Sequence, residues 1–186
     1  WVRQVARLPG VSHVHVVGIA SADAGTARAW QNYLAPLRRG RLSYWCLGVN
    51  VRWAQRLGLD AAVRSFDDPA ALVEAVAVAL RGDASPVYLS IDKDVFAPEV
   101  ARTNWDQGRL CLEHALALIG ALPGPLAGSD ITGEVSQYRY RSLFKRVLSA
   151  LDGQPAVDGA QLADWQAQQH RLNVELLRAI DALPVV

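Results

Sequence analysis

Short apolar runs rich in β-branched residues alternate along the chain with segments in which apolar residues recur at helical spacing. The short runs predict strands, at 13–20, 42–47, 61–66, 87–94 and 126–131. The longer segments predict helices at 23–37, 51–57, 70–81, 110–122, 138–151 and 161–183. Strands that alternate with helices favour a largely parallel sheet covered on both faces. The pattern therefore predicts an α/β fold.

The length of 186 residues suits a single α/β domain, 1–186, and 51% of the residues are hydrophobic, which allows a substantial core. The segment 160–183 is expected to form a terminal amphipathic helix that packs on the domain or on a partner subunit, so a homo-oligomer stays open. The chain begins with Trp1 and contains no methionine. We therefore expect a fragment that is incomplete at its N-terminus.

Charge and cysteine content narrow the function classes. Nineteen Lys and Arg residues balance eighteen Asp and Glu residues, which predicts neither a nucleic-acid nor a membrane partner. The expected partner is a small-molecule substrate. The basic stretch 138–146 is more typical of a solvated helix face than of a nucleic-acid site. Two dispersed cysteines make no disulfide framework, and Cys46 is expected to be a small buried hydrophobe. A cytoplasmic location is expected.

The segment 86–96 carries the most chemistry. Its apolar run ends in Asp92 and Asp94, which would share one face of a strand because side chains at i and i+2 do so. Ligands of open α/β sheets bind at the carboxyl ends of strands. Two converging carboxylates repel each other unless a cation or proton lies between them, and such oxygen donors suit Mg²⁺, Mn²⁺ or Ca²⁺. The alternative interpretation is a solvated turn.

Two further segments should meet these carboxylates. The loop 101–108 contains Asn104, Trp105 and Asp106, and loops after strands build active sites. Asn104 and Asp106 are candidates to touch substrate or support the ligands, and Trp105 is either a pocket wall or the anchor of a self-packed loop. The segment 128–135 should end the next parallel strand and place Asp130 or Glu134 beside the first pair.

With these motifs, residues 10–150 resemble the arginase/agmatinase/formiminoglutamase (ureohydrolase) superfamily. That family has a Ser-x-Asp-x-Asp strand, matched by Ser90, Asp92 and Asp94, and a later acidic segment, matched by Glu134. The resemblance implies a three-layer α/β/α fold of the arginase/deacetylase-like type and a binuclear Mn²⁺ centre that hydrolyses a C–N bond in a linear amidino or guanidino compound. It implies that Asp92 and Asp94 are catalytic metal ligands and that Glu134 is a catalytic, substrate-recognising acid.

The sequence departs from the family pattern in several places. Ala97-Pro98 stands where the family has Asp-Pro, and the segment 102–108 replaces a loop rich in glycine and threonine. Asp130 and Glu134 are one residue further apart than is usual. The family's upstream Asp-x-His-x-Asp motif does not occur before Asp92. The expectation is therefore the C-terminal portion of such a hydrolase, with an incomplete metal site.

Two other functions remain open. A strand that ends in Asp-x-Asp is also similar to the nucleophile motif of haloacid-dehalogenase-like phosphatases, in which Asp92 would attack phosphorus and Asp94 would act as acid and base, with Mg²⁺. The chain is also compatible with a non-catalytic, degenerate domain kept for assembly. His13 and His15 lie two residues apart, but at the start of a strand, so they are more typical of core or edge histidines than of metal ligands.

Overall fold

The structure is a computed structural model that describes residues 1–135 and 158–186. Its strands are β1 (Val14–Ile19), β2 (Leu42–Leu47), β3 (Val63–Phe66), β4 (Val87–Asp92) and β5 (Leu126–Thr132). Its α-helices are α1 (Val2–Val5), α2 (Leu34–Arg38), α3 (Arg52–Arg56), α4 (Pro69–Leu80), α5 (Leu112–Gly120) and α6 (Gly159–Asp181). Short 3₁₀ segments cover Ala22–Ala24, Thr26–Gln31 and Lys93–Val95. The helix predicted at 138–151 lies outside the described residues.

All the strand pairs are parallel, which confirms the α/β prediction. Strands β1, β2 and β3 form one sheet in that order, and β4 and β5 form a second. The two sheets meet where β1 bulges at Gly18, which has a φ of +82°. A Cβ at Gly18 would lie 2.4 Å from Cγ2 of Val95. Because only glycine leaves room for that approach, the carboxyl end of β1 can touch the turn that follows β4.

Strand β2 is buried along its whole length. Trp45 and Leu47 pack into the larger core with residues of α4, α5 and α6, whereas Tyr44 and Cys46 belong to a second core with α2 and α3. Cys46 is fully buried and free, and burial raises the pKa of its thiol to about 12. It is therefore the small hydrophobe that was expected, and β2 is covered on both faces.

Two helices follow their sequence signals closely. Helix α4 begins at Pro69, and the Asp68 carboxylate caps it by accepting hydrogen bonds from the amides of Ala70 and Ala71. Helix α6 matches the predicted terminal helix, and its apolar stripe joins the larger core, so it packs on this domain. The buried apolar members of this stripe are Leu172, Leu176 and Ile180. Among the described residues, no helix has both the length and the apolarity needed to span a membrane.

The single helix predicted at 23–37 is wrong. The chain forms two 3₁₀ segments and then the short helix α2. Both the amide and the hydroxyl of Thr26 donate to the carbonyl of Asn50, at 2.8 Å, which ties this segment to the end of β2 and diverts its backbone from a continuous helix. Pro36, which lacks an amide proton, fits only because α2 begins at Leu34 and places it in the first turn. Tertiary hydrogen bonds here override helical spacing.

Candidate functional site

The two carboxylates of the Ser-x-Asp-x-Asp segment lie on different local structures. Strand β4 ends at Asp92, and Asp94 lies in the 3₁₀ turn that follows. The prediction that both project from one strand face is therefore wrong. The turn forms because Oδ1 of Asp92 accepts a hydrogen bond from the amide of Asp94 at 3.2 Å and caps the turn. The two residues nevertheless stay close enough for their charges to interact.

Asp94 has a raised pKa in the folded protein. Partial burial raises its pKa, a hydrogen bond with the Thr103 side chain opposes that rise, and the negative charges of Asp92 and Asp106 add to it. Its Oδ1 atom is buried and has no hydrogen-bond partner within the described part of the chain. Such an oxygen is costly to bury alone. The site therefore favours a proton or a cation at Asp94.

The loop 97–109 folds back onto the turn that carries Asp94. The amide of Gly108 donates to the carbonyl of Asp94 at 2.6 Å, and the amide of Leu110 donates to that of Val95 at 3.2 Å. A Cβ at Gly108 would lie only 2.1 Å from the Val95 carbonyl oxygen. Glycine at 108 thus allows a backbone contact that brings the loop against the acidic turn.

The three loop residues proposed to contact substrate differ in their surroundings. Asp106 is exposed and close enough to raise the pKa of Asp94. Trp105 is 58% exposed, so it does not anchor a self-packed loop. Asn104 is half-buried. The structure therefore brings Asp106 near Asp94. It leaves the side chain of Trp105, the residue before Asp106, accessible to solvent.

Glu134 lies on the other side of the β4 terminus. Lys93, which is fully buried, forms an ion pair with Oε1 of Glu134, and the side-chain amide of Asn173 donates to the same oxygen at 3.0 Å. Burial alone would raise the pKa of Glu134, but the hydrogen bonds from Lys93 and Asn173 and the charge of Lys93 lower it. Glu134 is thus held ionised, with a side chain that is 54% exposed.

The residue before Glu134, Gly133, lies against Asp92. Gly133 has a φ of +81°, and a Cβ there would lie 2.6 Å from Oδ1 of Asp92. Asp130 faces Ser90 across the two strands and accepts hydrogen bonds from the hydroxyls of Ser90, at 2.8 Å, and Tyr88, at 2.9 Å. Asp130 is therefore occupied within the β4–β5 sheet, and Gly133 forms the wall beside Asp92.

His15 and His114 are engaged in hydrogen bonds of their own. His15 lies near the amino end of β1, and its Nδ1 accepts a hydrogen bond from the indole of Trp45 at 3.1 Å. Burial and the charge of His13 lower the pKa of His15 to about 4. His114 accepts a hydrogen bond from the amide of Cys111 at the start of α5. Within residues 1–135 and 158–186, no three His, Cys, Asp or Glu side chains lie close enough together to hold a metal ion.

Three residues that shape the site were given no role by the sequence. Thr103 and Gly108 lie in the loop that was singled out, but their contacts with Asp94 depend on how that loop folds. Gln169 binds the main chain on both sides of the site. Its signal was present in the sequence, because a polar residue there interrupts the apolar stripe of α6 three residues before Leu172.

Comparison with known proteins adds a short local match. An uncharacterized protein of Thermotoga maritima is 46% identical over 50 residues, which is 26% of this chain and 20% of that protein. The chain thus spans about a fifth of the length of the relative it matches. No family model matches the chain. No solved structure matches it either.

Proposed function

We propose that this chain is part of a manganese-dependent hydrolase that cleaves a C–N bond in a linear amidino or guanidino compound, as ureohydrolases do. The observation that carries the proposal is the buried, unpartnered Oδ1 of Asp94 next to the negative charges of Asp92 and Asp106. A cation there would relieve the repulsion among the carboxylates and satisfy the oxygen.

The donor set fits a hard divalent cation in part. Asp92 and Asp94 offer carboxylate oxygens, the ligands that suit Mn²⁺, Mg²⁺ and Ca²⁺. Two carboxylates alone hold such an ion weakly, and a binuclear centre needs more ligands. In the family that the chain resembles, an upstream Asp-x-His-x-Asp motif provides them. The proposed activity therefore requires ligands beyond Asp92 and Asp94.

Each side chain then has a distinct task. When bound, Mn²⁺ supplies Lewis-acid activation of water near neutral pH. Thr103 orients the Asp94 carboxylate by hydrogen bonding. The exposed carboxylates of Asp106 and Glu134 are suited to a cationic amidino group, which they would hold by charge-assisted hydrogen bonds. Trp105 offers an accessible ring face on which a planar cation can stack.

The fold part of the proposal is a three-layer α/β/α domain of the arginase/deacetylase-like type. Two features support it. Strand β2 is packed on both faces by helices. The carboxyl end of β1 touches the turn after β4, which brings the ends of both parallel sheets to one region. Side chains at that region come from the carboxyl ends of strands, where ligands of α/β sheets bind.

The test is a Mn²⁺ titration by calorimetry on the wild type and on Asp92→Asn and Asp94→Asn, with Asp164→Asn on the exposed face of α6 as the matched control. Mn²⁺ binding that is lost in both site variants and retained in the control would support the proposal. After that result, amidino and formimino compounds would be screened for release of urea or ammonia.

Two outcomes would overturn the proposal. Mn²⁺ binding in the wild type no tighter than in Asp94→Asn would remove the metal site and favour an assembly domain. Phosphatase activity with Mg²⁺, in the absence of any amidino hydrolysis, would instead favour the haloacid-dehalogenase-like interpretation.

A further inference from the structure

Helix α6 places a fully buried glutamine between the two segments that flank the acidic turn. Gln169 is 0% exposed. Its Oε1 accepts a hydrogen bond from the amide of Val135 at 2.9 Å. Its Nε2 donates to the carbonyl of Arg102 at 2.7 Å and to that of Gly133 at 3.3 Å. One side-chain amide thus joins the loop 101–108 to the end of β5.

Both segments held by Gln169 lead directly to the candidate ligands. Gly133 forms the wall beside Asp92, since a Cβ there would lie 2.6 Å from Oδ1 of that residue. Arg102 precedes Thr103, whose side chain hydrogen-bonds to Asp94. One glutamine side-chain amide therefore links Gly133, the wall beside Asp92, to Arg102, the neighbour of the Thr103 that hydrogen-bonds to Asp94.

The chemistry of this position argues for a role beyond packing. Gln169 interrupts an apolar stripe, where a leucine would bury more apolar surface without any polar group to satisfy. All three of its hydrogen bonds go to main-chain atoms, so they fix backbone segments whatever side chains those segments carry. A buried amide with every bond made specifies one arrangement of its neighbours.

From this geometry we infer that Gln169 is a positioning residue, which fixes the Gly133 wall beside Asp92 relative to the Thr103 partner of Asp94 by clamping the Gly133 and Arg102 segments together. The contacts are independent of any activity, but the consequence for metal binding rests on the proposed function. Residues outside the immediate ligand set commonly change metal affinity by about tenfold or more when they are replaced.

The neighbouring glutamine provides a matched comparison. Gln168 accepts a hydrogen bond from the amide of Arg102 at 3.2 Å and donates to the carbonyls of Glu99, at 2.8 Å, and Pro98, at 3.4 Å. It therefore holds the loop alone, whereas Gln169 holds both the loop and the β5 end. The exposed Gln166 on the same helix holds neither segment through any hydrogen bond given by the described structure.

The experiment measures amide hydrogen exchange and carbonyl ¹³C shifts by NMR in Gln169→Leu, Gln168→Leu and Gln166→Leu, together with Mn²⁺ affinity by calorimetry. We expect Gln169→Leu to accelerate exchange of the Val135 amide by about tenfold or more and to shift the carbonyl ¹³C resonances of Arg102 and Gly133, which lose their donor. Gln168→Leu should accelerate exchange of the Arg102 amide, which donates to Gln168, and leave the Val135 amide protected. Gln166→Leu should change none of these signals. Mn²⁺ affinity should fall about tenfold in Gln169→Leu. The amide of Tyr44, which pairs with Ala62 in the other sheet, reports that the fold is intact.

The variant Gln169→Glu separates the two halves of the clamp. It keeps the acceptor for the Val135 amide but replaces the donor to Arg102 and Gly133 with a charged oxygen. We expect the Val135 amide to stay protected and the carbonyl ¹³C resonances of Arg102 and Gly133 to shift. An unchanged exchange rate at the Val135 amide, or unchanged Arg102 and Gly133 carbonyl shifts, in Gln169→Leu would overturn the clamp. If exchange behaves as expected but the wild type binds no Mn²⁺, the clamp stands and the proposed function falls.

Discussion

Replacing Lys93 and replacing Glu134 should lower the free energy of unfolding by unequal amounts, although the two residues form one ion pair. Lys93 is 0% exposed, whereas the side chain of Glu134 is 54% exposed. Removing one member of a buried pair costs about 3–5 kcal/mol when the charge left behind stays buried. Glu134→Ala leaves the buried ammonium without its counter-charge, so we expect a loss near the lower limit, about 3 kcal/mol, because the pair is open to solvent on one side.

The opposite substitution should be mild. Lys93→Met keeps a long unbranched side chain in the core and leaves a carboxylate that water and Asn173 can still satisfy. We therefore expect its free energy of unfolding to lie within about 1 kcal/mol of the wild type. Chemical denaturation monitored by circular dichroism, without metal, gives both values. Asn173→Ala serves as the control for the third member of the network.

The reasoning would be refuted by equal losses in the two variants. A large loss in Lys93→Met would mean that the ion pair itself stabilises the fold beyond what a hydrophobic side chain supplies. A loss below about 1 kcal/mol in Glu134→Ala would mean that the ammonium of Lys93 finds water or another acceptor without its carboxylate. Either result would remove the inference that the buried ammonium of Lys93 depends on Glu134 for its counter-charge.

Three further predictions follow from local geometry. Gly108→Ala should cost about 2–4 kcal/mol in unfolding free energy, measured by denaturation, because its Cβ would meet the Val95 carbonyl and break the hydrogen bond to the Asp94 carbonyl. Gly124→Ala, whose Cβ would meet the 84–85 backbone away from the site, is the control, and a Mn²⁺ titration should show weakened binding only for Gly108→Ala. Asp94 has a raised pKa when folded, so the folded protein holds that proton more tightly than the unfolded chain, and stability rises as pH falls through the folded pKa. Metal-free Asp94→Asn should therefore have a larger free energy of unfolding than the wild type at neutral pH, and the difference should shrink in acid. Denaturation at the two pH values measures it, and an equal difference at both would contradict the prediction. Asp68→Ala should remove the α4 cap, lower the free energy of unfolding by about 1 kcal/mol and so lower the melting temperature. Asp67→Ala is the control, and an equal fall in its melting temperature would refute the capping role of Asp68.

Sequence patterns predicted the parts of the fold that depend on local order and burial. Strand β2 is a continuous apolar run because both of its faces are covered, and the start of α4 follows from Asp68 and Pro69. The segment 23–37 was mispredicted because its backbone is fixed by Thr26 and Asn50, which are far apart in sequence. Helical spacing contains no information about such a partner.

The candidate site was predicted in the same uneven way. The residue types and their order located Asp92, Asp94 and the loop that follows them. The placement of Asp94 in a turn required the capping geometry of Asp92, and the contact with Thr103 required the fold of the loop. Gln169 lies more than sixty residues from the loop it holds, and only the interruption of an apolar stripe hints at it.

The use of α6 to hold the site has a consequence for synthesis on the ribosome. Strands β4 and β5 and the loop between them are complete by residue 132, yet the loop and the residues after β5 are joined by hydrogen bonds from Gln168, Gln169 and Asn173. Chains fold from the N-terminus as they emerge, so the acidic turn leaves the ribosome before the helix that clamps the segments around it. During that interval the nascent chain carries the two carboxylates without the clamp, and a nascent chain arrested before residue 159 would contain the candidate ligands but not the helix that holds their surroundings.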